Sequence, residues 1–290
     1  MSRKRIFIYG LLILLAAGVF YYHPYLENLY LLSRERIQDL NFNPLSSLAE
    51  TAQKEISAPP PLRAEKESAR SFLTQKGVIG LTNEERKKNE KKILIESSEL
   101  DRAAEKKARD IFEKQYFAHV SPSGNGPDYF VSASGYQYIT IGENLALGNF
   151  ADDQELVAAW VASPGHRENI LREQFQEIGV AVVRGNFEGN STWIAVQEFG
   201  APLSACPEAD AGLKRRIDAD TVEISQLSGE LGDKLSAIKS TSPRDPDYGR
   251  MADGYDTLVG EYNALVAKTK GLIKSYNSQV NKYNACVKRF

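Results

Sequence analysis

The chain has 290 residues, of which 36 are basic and 38 acidic, so its formal net charge is −2 at neutral pH. This near balance, without any block of like charge, excludes a nucleic-acid binder that works through a basic surface. Hydrophobic residues make up 42% and charged residues 26% of the chain, a composition typical of a globular protein with one sizeable core and accessory segments.

The N-terminus predicts a membrane anchor. Arg3, Lys4 and Arg5 precede an uncharged, mostly apolar run over residues 6–22. That run is at the short end for a transmembrane helix, but it is too long for the apolar part of a signal peptide and has no small-residue cleavage site directly after it. We expect a single-pass anchor in residues 1–23, with basic residues inside and the following chain extracytoplasmic. The alternative is a protein secreted after signal cleavage.

Residues 24–76 carry the pattern of a spacer. Apolar residues at helical spacing between Leu26 and Leu40 favour a juxtamembrane helix. The following stretch is rich in Ser, Ala and Pro and contains three consecutive prolines at residues 59–61. Such composition is typical of an extended segment, which we expect to hold the globular part away from the membrane.

A compact domain is predicted over residues 77–201. Thr82 and Glu85 match a capping box that would open a charged helix, and apolar residues recur with helical period after Ser98. The further elements are a helix over residues 152–161, a helical turn over 167–171 and two strands over 177–183 and 192–199. Helices followed by a β-hairpin, without βαβ alternation, indicate an α+β domain.

Residues 202–290 predict an antiparallel helical hairpin. Apolar residues repeat every seven positions in two series, separated by a polar, proline-containing break at residues 242–246. Tyrosines flank the second series, so the coiled-coil-like faces could also self-associate. Packing within the hairpin is the alternative.

The two cysteines fit this hairpin. Cys206 precedes the first helix and Cys286 ends the second, and their midpoint is position 246 in the break. Folding the chain there brings both thiols to the same end, so the sequence predicts a disulfide worth about 3–5 kcal/mol in the loop-entropy model. Such a bond persists outside the cytosol, as the anchor implies. Two unrelated buried thiols are the alternative.

The candidate site rests on two of the three histidines in the chain. His119 and His166 lie in turn-rich polar clusters, and Glu143 lies in a third cluster between them. Two imidazoles and a carboxylate, each expected in a loop or at a helix start, predict one shared polar site. These groups are ligands for a divalent metal such as zinc, and they are also acid–base groups. For each residue alone, the alternative is a structural hydrogen bond or a cap.

These clusters resemble the CAP superfamily of cysteine-rich secretory, antigen 5 and pathogenesis-related proteins, also called the SCP domain, in its bacterial branch. The matching segments, which agree in order and spacing, are residues 116–124, 142–146, 159–160, 163–171, 175–180 and 197–200. The resemblance implies an α-β-α sandwich whose cleft carries two histidines and two acidic residues. His119, Glu143 and His166 match three of these, whereas Ser163 stands at the position of the second acidic residue.

The resemblance implies several functions. Members of this family bind divalent metals, sterols or other lipids, and a few have been proposed to be proteases. We expect a membrane-anchored extracytoplasmic module that recognises a surface ligand such as a lipid, a peptide or a cell-wall component. One alternative is a metal-assisted hydrolase that uses His119, Glu143 and His166, although no nucleophile is evident. Another is a protein whose helical hairpin is the interaction surface.

Overall fold

A computed structural model of the protein describes residues 55–290, which divide into two compact units. One unit comprises residues 55–207 and Asn284–Phe290, and the other includes Glu208–Tyr283. The predicted anchor and juxtamembrane helix lie outside the described residues. Within residues 55–290, no helix has both the length and the apolar character that a membrane crossing requires.

The first unit is built on one mixed sheet. Its elements in chain order are β1 (Glu55–Ser57), β2 (Leu62–Arg63), α1 (Gln75–Lys88), β3 (Ile95–Glu96), α2 (Ser98–Lys114), α3 (Pro127–Ala133), β4 (Tyr138–Leu147), α4 (Asp153–Ala162), α5 (Pro164–Leu171), β5 (Glu177–Phe187) and β6 (Asn190–Pro202). The strand order is β1-β4-β6-β5-β3, and β2 also pairs with β4. The central pairs β4/β6 and β5/β6 are antiparallel, whereas β1 and β2 run parallel to the outer edge of β4.

Helices cover both faces of the sheet. Ala146 and Phe199 pack in one buried cluster with residues of α1, α4 and α5, among them Trp160. Leu145 and Val196, whose side chains point the other way, pack against α2. The mixed α and β content is confirmed, and the layers are those of an α-β-α sandwich.

Helix α1 begins earlier than the sequence pattern predicts. Its N-cap is Thr74, whose hydroxyl accepts a hydrogen bond from the Gly77 N–H, whereas Thr82 lies inside the helix and donates to the Val78 carbonyl. The capping-box interpretation of Thr82 is therefore wrong. The helix extends upstream because Val78 and Ile79 are buried in the core.

Part of the predicted spacer belongs to the sheet. We call residues 55–63 the strap. Glu55, Ile56 and Ser57 pair with Thr140 to Gly142 of β4, and Leu62 and Arg63 pair with Ala146 and Leu147. The expectation of a free extended spacer is wrong for this stretch. Strand β4 is buried along its whole length, and its outer edge needs main-chain partners that a solvated spacer would not supply.

The second unit is a helical hairpin. Helix α6 spans Ala211–Ser240 and helix α7 spans Tyr248–Val287. The tyrosines Tyr255 and Tyr262 are buried in one apolar cluster with Ile224 and Leu231 of α6. The seam is thus filled within the hairpin, and self-association of these helices stays a prediction.

The predicted disulfide is confirmed. The sulfur atoms of Cys206 and Cys286 are 2.01 Å apart, and the two residues are separated by 80 positions in the sequence. Both cysteines belong to the first unit. In the loop-entropy model a closed loop of this length stabilises the folded state by about 4–5 kcal/mol.

Candidate functional site at the outer edge of β4

The three predicted site residues come from three different elements. Helix α2 ends at Lys114, its C-cap Gln115 has a left-handed φ of 53°, and the loop that follows carries His119. Glu143 lies in the middle of β4 and His166 lies in α5. The expectation that Glu143 sits in a loop or at a helix start is wrong, because its cluster continues a buried strand.

His119 and Glu143 are in direct contact. The His119 Nδ1 and Glu143 Oε1 atoms are 2.6 Å apart, and the Glu143 side chain is fully buried. The other ring nitrogen, Nε2, lies 2.5 Å from the Pro59 carbonyl oxygen of the strap. A carbonyl only accepts hydrogen bonds, so Nε2 carries a proton and donates it. Both nitrogens of His119 are therefore engaged.

His166 is held from the side of α5. Its Nδ1 atom lies 2.8 Å from the Ser163 hydroxyl, and its buried Nε2 has no hydrogen-bond partner among the described residues. Burial, and secondarily the charge of His119, lower the pKa of His166 to about 4. The imidazole of His166 is thus neutral at physiological pH, and it lies near enough to His119 for the charge of that residue to affect its pKa.

A network of amide side chains fixes this side of β4. Asn144 Nδ2 donates to Gln197 Oε1 at 3.1 Å and to the His166 carbonyl at 3.2 Å. Asn169 Nδ2 donates to Asn144 Oδ1 at 3.0 Å, and Gln197 Nε2 donates to the Thr82 hydroxyl at 2.7 Å. Because each member bonds the next, the network positions β4 and α5 relative to one another.

Gly142 allows this close packing of α5 against β4. A Cβ atom at Gly142 would lie 2.7 Å from the Phe175 ring and 3.2 Å from Asn169 Oδ1. Any larger residue would push α5 away from the strand. The three successive residues of this cluster thus have different roles. Gly142 permits the close packing of α5, Glu143 supplies a buried carboxylate, and Asn144 supplies a buried amide.

Two further charged residues of the site were not predicted. Glu198 of β6 stands directly opposite Glu143 in the antiparallel register, and it is fully buried. Burial first, and then the neighbouring Glu143 carboxylate, raise the pKa of Glu198 well above its usual range. Glu143 Oε2 and both carboxyl oxygens of Glu198 have no donor among the described residues. A proton kept by Glu198 would supply a donor to one of these oxygens.

Lys107 is the second unpredicted residue. It lies on α2, is fully buried, and donates to the carbonyl oxygens of Ala118 and His119 at 2.9 and 2.6 Å and to the Tyr116 hydroxyl at 3.1 Å. Burial lowers the pKa of Lys107, and the carboxylates of Glu143 and Glu198 oppose that shift. The ammonium group thus orients the loop that carries His119 and compensates the buried carboxyl pair.

The sequence contains a signal that could have predicted both Lys107 and Glu198, namely a charged residue at a core position. Lys107 interrupts the apolar face of α2, three or four residues from Ala103, Ala104 and Ile111, where a core residue is expected. Glu198 lies inside the strand predicted over residues 192–199, directly before Phe199, so it occupies an interior strand position. A charged residue at a core position is rare unless it is paired.

The arrangement does not suit a metal ion. Across residues 55–290, no group of three or more His, Cys, Asp and Glu side chains is disposed to hold one. His119 has no free nitrogen to coordinate, since Glu143 and the strap engage both. Zinc binding by His119, Glu143 and His166 stays a prediction that titration has to test.

Comparisons with known sequences find a family match over part of the chain. Residues 79–199 match the sequence model described as CAP, the cysteine-rich secretory protein family. The chain is 40% identical over 125 residues to the uncharacterized protein YkwD of Bacillus subtilis, covering 43% of this chain and 46% of that protein. It is 27% identical over 136 residues to the uncharacterized membrane protein YlbC of the same organism, covering 47% and 39%. The chain thus spans less than half the length of these relatives.

A solved structure gives a similar match. An extracellular protein containing a SCP domain from Bacillus anthracis is 25% identical, with a TM-score of 0.39, over 43% of this chain and 39% of that chain.

Proposed function

We propose, from the premise that residues 79–199 are a domain of the cysteine-rich secretory protein family, that this chain is an extracytoplasmic binding module. Residues 6–22 would anchor it in the cell membrane, which agrees with the naming of one relative as a membrane protein. The disulfide between Cys206 and Cys286 supports a compartment outside the reducing cytosol.

One observation carries the binding role. Glu143 holds the His119 ring so that its Nε2–H is directed, as a fixed donor, at the outer edge of β4. Lys107 bonds the main chain of the same loop and thereby fixes the position of the histidine. A preorganised donor beside a strand edge recognises an acceptor on a ligand at little ordering cost.

The geometry favours binding over hydrolysis. Of the serines considered for nucleophilic attack, Ser163 lies beside His166 Nδ1. If Nδ1 accepted the serine proton, the buried Nε2–H would be left without an acceptor among the described residues. In the opposite tautomer Nδ1–H donates to the Ser163 hydroxyl, so His166 is a donor to that serine and cannot act as its base.

Cosedimentation tests the proposal. The full-length protein in detergent micelles is mixed with cell walls or with lipid vesicles made from envelope lipids of a Gram-positive bacterium. We expect saturable binding to one of these, weakened about tenfold in His119→Ala. The exposed Lys106→Met variant is the control. Retention by neither material, or equal retention of the His119 variant, would contradict a His119-dependent binding site.

The hydrolase alternative has its own readout. The same protein is incubated with zinc and casein, and released peptides are measured. We expect no release above that of the His166→Gln variant. Zinc-dependent release that disappears in both the His119→Ala and His166→Gln variants would instead support the metal-assisted hydrolase.

A further inference from the structure

The strap lies across the candidate site and engages it through main-chain atoms. The Pro59 carbonyl accepts from His119 Nε2, and the Ser57 carbonyl accepts from Asn169 Nδ2 at 3.2 Å. Those two donors come from elements on opposite sides of β4, the loop after α2 and helix α5. The site therefore contacts two alternate carbonyl groups of an extended chain, those of residues 57 and 59.

The side chains of the strap contribute little to this contact. Ile56 is 38% exposed, and residues 58, 60 and 63 are exposed as well. Between β1 and β2 the strap does not pair with β4, and the Glu143 and Leu145 carbonyls of β4 are bonded instead by Asn169 and Trp160 at 3.4 Å each. These two carbonyl groups of β4 thus have hydrogen-bond partners without the strap.

The surface also fits the prolines. A Cβ atom at Gly165 of α5 would lie 2.7 Å from Pro59 Cβ, so only glycine admits the proline ring at this distance. Residues 59–61 are all proline, which lacks an N–H and favours an extended polyproline conformation. An extended segment of low conformational entropy lying in a cleft is a known mode of peptide recognition.

The end of the strap sets its register. Leu62 packs against the core cluster of α1, α4 and α5, and the Arg63 guanidinium lies 5.2 Å from the Phe117 ring centroid and 5.8 Å from that of Phe187. The Ala64 N–H then donates to the Leu147 carbonyl at 2.9 Å. These contacts anchor one end of the strap, whereas the other end is held by main-chain pairing with β4 and by the two carbonyl contacts.

We propose that the strap occupies a peptide-binding cleft, and that the ligand of this site is an extended, proline-containing peptide that pairs with the outer edge of β4 in place of the strap. This inference rests on the proposed binding function and names its ligand class. That peptide is a segment of a partner protein. Binding in trans requires that the strap leave the cleft.

Peptide exchange tests the proposal. A recognition sequence for a site-specific protease is inserted between the exposed Glu65 and Lys66 of the full-length protein. A fluorescein-labelled peptide with the sequence of residues 54–65 is added before and after cleavage, and its anisotropy is followed. We expect saturable binding after cleavage that is at least tenfold tighter than before it. A peptide of reversed sequence is the control ligand.

Two substitutions localise the binding. His119→Ala removes the donor to Pro59, and we expect about tenfold weaker binding of the peptide to the cleaved protein. Gly165→Ala places a methyl group where the Pro59 ring lies, and we expect binding to be lost. Gly80→Ala is the matched control, because a Cβ atom at this helical glycine would meet nothing within 4 Å.

Three outcomes would overturn the proposal: loss of the native circular dichroism spectrum on cleavage, failure of the labelled peptide to exchange into the folded cleaved protein, or equal binding before and after cleavage. The first two would mean that the strap is an integral strand, and the third that the peptide binds elsewhere. If exchange fails while cosedimentation still depends on His119, the site binds ligands but the peptide class is wrong. If both fail, the binding function itself is wrong.

Discussion

Strand β4 presents two different polar surfaces on its two faces. Towards α5 it presents Asn144, which bonds Gln197 and Asn169 in a network of neutral amides. Towards α2 it presents Glu143, which stands beside Glu198 and near Lys107. Two adjacent residues of one strand are thus stabilised differently when buried, one by neutral hydrogen bonds and the other by neighbouring charged groups.

The two surfaces depend differently on pH and on charge. Amide groups have both donors and acceptors, so the neutral face supplies most of its own hydrogen bonds at any pH. Carboxylates only accept, so the charged face needs a cation or a proton to satisfy oxygens that lack donors among residues 55–290. The neutral face therefore positions the site, and the charged face makes it responsive to its environment.

Loss of Lys107 should give the largest effect on this contrast. We expect Lys107→Met to lower the free energy of unfolding at pH 7 by about 3–5 kcal/mol, because it leaves two buried carboxyl groups without their cation. Urea denaturation measures this loss. Lys106→Met, one position earlier and exposed, should cost about 0.5 kcal/mol or less. Equal losses in the two variants would show that the charged face does not need its cation.

His166 should make the side of α5 sensitive to acid. Its pKa in the folded state is about 4, below the ordinary value of 6.5, so the unfolded chain binds more protons between these values. The stability it contributes is present above about pH 6.5 and is lost as the pH falls to about 4, by at most about 3 kcal/mol. Urea unfolding of wild type and His166→Gln at several pH values measures it. A wild-type slope that persists in the variant would refute the assignment.

Asn169 should show how much the neutral face contributes. Its Nδ2 group donates to Asn144 Oδ1 and to the Ser57 carbonyl, and Asn169→Ala leaves these acceptors unpaired. We expect a loss of about 2 kcal/mol in the free energy of unfolding that does not change with pH between 5 and 9. Asn190→Ala, exposed at the β5–β6 turn, is the control. A strongly pH-dependent loss would mean that the amides are coupled to the carboxyl pair.

Glu198 should give the smallest effect at mildly acidic pH and a slope opposite to that of His166. Its raised pKa means that the stability it contributes is complete below the unfolded pKa near 4.5 and is lost as the pH rises through the folded pKa. We expect Glu198→Gln to differ from wild type by less than about 1 kcal/mol at pH 5 and to become progressively more stable than wild type at higher pH. Calorimetric melting of both proteins, with exposed Glu113→Gln as control, tests the sign.

Local patterns predicted the helical parts of the molecule. The hairpin and its turn follow from a seven-residue period and a polar break, which are local properties. The disulfide follows from the symmetric placement of two cysteines about that break. Strand β4 was missed because Gly142, Glu143 and Asn144 break the apolar pattern of a buried strand. Those residues are polar because they form the site, and for the same reason the sequence of β4 lacks the apolar pattern by which a buried strand is recognised.

Long-range pairing accounts for the rest. A proline-rich stretch has the same composition in a free spacer and in a strap, and only its contacts with β4 distinguish the two. Likewise, the resemblance placed Ser163 at the second acidic position, whereas the register of β4 and β6 brings Glu198 beside Glu143. No spacing along one segment could reveal a pair formed across two strands.

The disulfide has a mechanical consequence. Any pulling force applied between a point before Cys206 and a point after Cys286 passes through the sulfur–sulfur bond and bypasses the chain between them. The helical hairpin therefore carries no load in the oxidised protein. Reduction followed by unfolding of the hairpin would release the intervening residues, a separation of 80 positions, as roughly 270 Å of extra contour length. The bond thus decides whether a force on the chain reaches the hairpin.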